Sequence, residues 1–120
     1  ADLLKCFQTE KINIRMVERV MTELVKWDLR IDDPGKVERL AGESIFKELK
    51  RIAAERESLK RIERLNRLFP LMVKFNLRPN LYRSQNLYFE ISKYSADNDS
   101  RSSEWHNQFI LLGENMGVKV

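Results

Sequence analysis

The chain has 120 residues, 42% of them hydrophobic and 33% charged, with a net charge of +4. That length holds one domain with a modest core, and the composition excludes a disordered chain and a membrane-embedded one, since no apolar run nears the roughly 20 residues a bilayer span needs. A single cysteine, Cys6, excludes an internal disulfide; with no secretory signal at the start, a reducing, cytoplasmic setting is expected. The first residue is Ala, not Met, and the expectation is a processed chain or part of a larger protein.

Residues 2–8 predict a short helix, with Cys6 among Leu3, Leu4 and Phe7 as a small buried hydrophobe. Asn13 is a fair N-cap for a second helix, in which Val17, Val20, Met21, Leu24 and Val25 recur at amphipathic spacing to about Leu29. Trp27 falls off that stripe, free to reach another neighbour. Asp33-Pro34 starts a third helix, the aspartate capping and the proline at the first helical position. Its stripe is the cleanest in the chain: Val37, Leu40, Ala41, Ser44, Ile45, Glu48, Leu49, Ile52 and Ala53. Small residues at 41, 42, 44 and 53 would let a partner helix approach closely.

Between Ala54 and Ser58 the polar run Glu55-Arg56-Glu57 permits a break, with Ser58 as the next cap; the alternative is a helix that continues unbroken. Leu59, Ile62, Leu65, Phe69, Met72 and Val73 then predict a helix that Pro70 should kink or divide near 68–71. After the turn at Arg78-Pro79-Asn80 comes Leu81 to Lys93, apolar over so much of its circumference that a central helix is expected. Residues 95–103 are polar and should form the most mobile internal loop. The last helix, about 104–116, aligns Trp105, Phe109, Leu112 and Met116, and Gly117 closes it as a left-handed cap. The expected fold is all-α, an irregular bundle of about five helices built around residues 59–93 as one domain spanning 1–120.

The residues that could carry chemistry are few. One His and one Cys give no metal-ligand set, four scattered glycines give no phosphate loop, and no cofactor is implied. Asp32-Asp33 reads as a helix start, and His106 as a polar helix residue. No nucleophile–base pair points to a self-sufficient active site. Within 81–93, Gln85 and Asn86 are expected to be buried amides tied to loop backbone near 76–80 or 95–103. The alternative is that, with Tyr82 and Arg83, they line a polar ligand site. Between Lys47 and Arg83 stand eleven Lys or Arg against four acids. Lys60, Arg61, Arg64 and Arg67 form the densest part, a candidate surface for nucleic acid or an acidic partner, or simply a solvated helix face.

Two stretches carry a family resemblance. Phe75-Asn76-Leu77 leading into Leu81-Tyr82-Arg83-Ser84-Gln85-Asn86-Leu87-Tyr88-Phe89, and Glu104-Trp105-His106-Asn107-Gln108-Phe109 with Leu112 to Val120, resemble the uncharacterised helical domain that follows the catalytic barrel in some family 57 glycoside hydrolase proteins. The likeness covers the last half of the chain, with Ser84 where that pattern usually has Ala; the first half is similar only in helical pattern. The resemblance implies a non-catalytic accessory domain that packs on a catalytic barrel, of the same polypeptide or another protein, and helps shape a glucan cleft. It carries no catalytic residue to this chain, because that family's catalytic carboxylates belong to the barrel. Oligosaccharide is then the implied ligand, and nucleic acid the alternative.

Overall fold

Helix boundaries fall where the capping residues stand. A computed structural model describes residues 2–8, 12–31, 33–55, 58–97 and 102–118. Among these residues lie six helices: α1 Asp2–Gln8, α2 Ile14–Lys26, α3 Pro34–Ala54, α4 Leu59–Lys74, α5 Tyr82–Asp97 and α6 Ser103–Asn115. The Asn13 side chain accepts from Met16 N at 3.1 Å, Asp33 from Lys36 N at 3.2 Å, and Ser102 from Trp105 N at 3.2 Å. Each satisfies one of the amides that open a helix.

Three helices end in the same way. Gly117 has φ +79°, its N–H donates to Glu114 O, and the N–H of Val118 reaches back to Gly113 O. Asp28 (φ 51°) and Asn76 (φ 55°) place Leu29 and Leu77 in the same double-bonded turn after α2 and α4. Asp and Asn tolerate the left-handed region better than most side chains, so no glycine is required there.

The helices form two rows. α1 packs on α3 and α3 on α5; α2 packs on α4 and α4 on α6; the rows meet where α1 touches α2 and α3 touches α4. Stacked rings of Tyr88 and Phe109 join α5 to α6. Neighbours in the row α2–α4–α6 run parallel: Glu18 meets Arg67 while Asn13 and Arg15 lie by Lys60, and Ser58 meets Trp105 while Asn66 meets Asn115. The result is three successive helix pairs stacked side by side, drawn out to 49 × 24 × 23 Å. Buried stripes at Val37, Ala41, Ile45, Leu49 and Ile52 of α3, and Ile62, Leu65, Phe69 and Met72 of α4, make the centre. Each of these side chains other than Ala41 contributes roughly 1.5–3 kcal/mol of burial.

Several expectations are corrected. The segment 81–93 is not central: Ser84, Tyr88 and Ile91 are buried in an ordinary stripe, while Tyr82, Arg83, Asn86 and Phe89 are exposed. Its aromatic content, not its burial, widened the apparent apolar face. Pro70 does not divide α4, which continues to Lys74; Phe69 and Met72 on either side are buried, and their packing carries the helix through an exposed proline. Val25 and Val73, read as stripe residues, are exposed, although Met72 and Leu77 on either side of Val73 are buried. Small residues in α3 serve different partners: Ser44 donates to Phe7 O at 2.9 Å, Gly42 faces the 79–80 backbone, and Ala53 is exposed. The expected loop at 95–103 is shorter at both ends, since α5 runs on through Asp97 and α6 begins at Ser103, while α3 and α4 do part between Ala54 and Leu59. The reading for Asp32, residues 56–57 of the break and residues 98–101 of the loop fall outside the described residues. No helix among the described residues is long and apolar enough to cross a membrane.

Candidate functional site

The two amides of the 81–93 segment part company. Gln85 is half-buried and donates from Nε2 to Met116 O at 2.6 Å, so it anchors the end of α6. The expected partner regions, 76–80 and 95–103, are not the ones used. Asn86 is exposed, and the expectation of a buried amide there fails because it lies one position, about 100°, round the helix from Gln85. The buried amide is Asn66 of α4: Nδ2 donates to Gln108 O and Gln108 Oε1, both at 2.9 Å, and Oδ1 accepts from Asn115 Nδ2 at 3.0 Å. Sequence reasoning missed Asn66; its place between Ile62, Leu65 and Phe69 on the apolar face was the available signal.

Helices α5 and α6 meet in a stack of rings. Tyr88 lies parallel to Phe109 at 4.3 Å between centroids, and Phe109 to Trp105 at 4.8 Å. Trp105 Nε1 donates to Ser58 Oγ at 3.0 Å, which occupies the hydroxyl that would otherwise cap α4. Tyr88 Oη donates to Phe109 O at 2.9 Å. Burial, and secondarily the Glu114 charge, raise the Tyr88 pKa above the usual tyrosine value. A Cβ on Gly113 would stand 2.5 Å from that hydroxyl, so this glycine in the last turn of α6 is the floor on which Tyr88 rests.

Tyr82 and Arg83 belong elsewhere, on an open cleft of about 420 Å3 between α3 and the start of α5. Glu38, Glu43, Phe46 and Asn80 also line it. The Arg83 guanidinium lies over the Phe46 ring at 4.1 Å, Asn80 Oδ1 accepts from Tyr82 N at 3.0 Å, and the Glu38 carboxylate accepts from Arg78 N. Gly42 lets the 79–80 backbone close one side, since a Cβ there would be 3.1 Å from Asn80 O. Of the four residues proposed together, the structure therefore keeps Tyr82 and Arg83 in one place, turns Gln85 to α6 and leaves Asn86 on the surface.

The basic run is likewise divided. Arg61 turns inward, donating to Glu55 at 3.0 Å and to the buried Glu48 at 3.2 Å, while Arg51 meets Glu48 at 3.0 Å. The bonds to Glu55 and Glu48 raise the Arg61 pKa above its ordinary value, against the opposing effect of burial. Lys60, Arg64 and Arg67 stay on a second cleft, joined there by Arg15 of α2. Among the described residues no three His, Cys, Asp or Glu side chains gather as a metal site. No protein-family model matches the chain, and neither a curated protein nor a solved structure is significantly similar to it.

Proposed function

We propose that the chain is a non-catalytic helical accessory domain of a carbohydrate-active protein, packing on a catalytic domain through the apolar end of α2. One observation carries this reading: Trp27 is 64% exposed between Val25 at 59% and Leu29 at 60%. Parallel packing of α2 and α4 puts exposed Val73 at the same end. A large aromatic amid aliphatic residues is the composition of an interface centre, where one tryptophan often dominates affinity. The resemblance of residues 75–89 and 104–120 to a barrel-following domain supplies the kind of partner. In this reading the α3–α5 cleft, with Tyr82 exposed at its rim among carboxylate, amide and guanidinium groups, is the surface offered to a glucan.

The test is a titration of the chain against a family 57 catalytic barrel, with Trp27→Ala alongside. Binding that weakens at least about tenfold in the variant, at unchanged melting temperature and with little salt dependence, supports the reading. Absence of association, or affinity that collapses with salt as phosphate contacts would, overturns it. A maltooligosaccharide titration with Tyr82→Ala examines the cleft separately.

A further inference from the structure

The second cleft, of about 320 Å3, lies between the start of α2 and α4 and is lined by Arg15, Lys60, Arg64 and Arg67 with Asn13 and Glu63. Positions 60, 64 and 67 recur at helical spacing on one face of α4, and the parallel course of α2 sets Arg15 beside them. Arg67 is engaged by Glu18. Among the described residues no carboxylate forms an ion pair with Arg15, Lys60 or Arg64. The contrast with Arg61, one residue away and matched by two carboxylates, is sharp. A solvated helix face would account for Lys60 and Arg64, but it does not require a cation from the neighbouring helix on the same concavity. Like charges gathered this way repel one another and concentrate positive potential in the cleft.

We propose that this cleft binds a small phosphate ester, its phosphoryl group held by Arg15, Lys60 and Arg64. Guanidinium forks match the oxygens of a phosphoryl group in pairs, and a lysine adds a point charge. The volume falls at the small end of ligand sites, which span about 300–1,000 Å3. No aromatic residue lines it, so the stacking that holds single-stranded bases is missing. Glu63 repels a bare anion yet accepts hydrogen bonds from hydroxyls, which favours a hydroxyl-bearing ester such as a hexose phosphate over inorganic phosphate. The inference stands independently of docking through Trp27.

Isothermal titration of the chain at low salt with glucose 6-phosphate, glucose and inorganic pyrophosphate tests it. Glucose 6-phosphate binds and glucose does not; Arg15→Ala and Arg64→Ala each weaken binding by about tenfold or more, and Arg64→Lys by less. Glu63→Gln shifts preference toward pyrophosphate. Arg39→Ala, which removes a cation paired with Glu43 on the other cleft, leaves affinity unchanged. Thermal melts of the exposed-site variants confirm that they fold. No heat with glucose 6-phosphate at millimolar concentration overturns the proposal. So does equal weakening in Arg39→Ala. Tighter binding of a short single-stranded oligonucleotide would assign the surface to nucleic acid and overturn it too.

Discussion

At the scale of single residues, the contact between Tyr88 and Gly113 decides how α5 sits on α6. Alanine within a helix is normally favoured over glycine by up to about 1 kcal/mol, the full figure holding in the interior and Gly113 standing in the last turn. Here the added methyl meets a ring fixed by its stack on Phe109 and by its hydroxyl bond, and overpacking costs about 1–3 kcal/mol. Gly113→Ala should therefore destabilise the chain in a urea melt; a stabilised variant would mean that Tyr88 can move aside. Tyr88→Phe removes one hydrogen bond, about 0.5–1.5 kcal/mol. Its pH dependence has a definite sign. A raised folded-state pKa means that the fold prefers the protonated phenol, so that contribution is complete below the unfolded value of about 10 and fades as pH rises through the folded one. Melts at rising alkaline pH should show the wild type losing its margin over Tyr88→Phe; a constant margin would refute the burial of that hydroxyl. The two amides show what was legible at this scale. That the Gln85-Asn86 pair holds a structural tie was readable, but which of them turns inward depends on where the end of α6 lies against α5, and that is set by long-range packing.

At the scale of elements, α3 was the most legible because local and tertiary signals agree: Asp33 caps, Pro34 opens, and an unbroken stripe runs to Ile52. α4 was harder. Its proline argued locally for a division, and burial of Ile62, Leu65, Phe69 and Met72 overrode it. Leu65→Ala should accordingly cost about 2–5 kcal/mol, and exposed Pro70→Ala should change stability by less. Equal effects in a denaturant titration would put the proline, not the leucine face, in charge of the helix. The basic run of α4 is divided by partners that sequence spacing does not reveal. Glu48 is 1% exposed and held between Arg51 and Arg61, clamping α3 to α4. Removing one partner of a buried pair costs about 3–5 kcal/mol, toward the lower figure here because Arg51 still faces Glu48. Arg61→Ala should thus be strongly destabilising, whereas Arg64→Ala should stay within about 0.5 kcal/mol of wild type. Similar melts for the two would contradict the division of the patch.

At the scale of the whole molecule, the stacking of three helix pairs means that each pair touches only its neighbours, as in repeat architectures. No sequence repeat announces this arrangement, because the pairs differ in length from the seven residues of α1 to the twenty-one of α3. What sequence does carry is the all-α class and the stripes; the order of the rows follows from which stripes meet. The middle pair, α3 and α4, has neighbours on both sides, so its amides should be the slowest to exchange with solvent. The last pair is held by the ring stack, by Gln85 on Met116 O, and by Asn66 reaching Gln108 and Asn115. Asn66→Ala leaves those polar partners short of hydrogen bonds, a loss of about 1–3 kcal/mol. In a chain stacked pair by pair, that loss should fall unevenly. Hydrogen exchange should quicken in α6 and α5, while α1, α2 and the start of α3 keep their protection. A uniform increase across all six helices would instead make the molecule a single cooperative unit, and the pairwise account of its stability would fail.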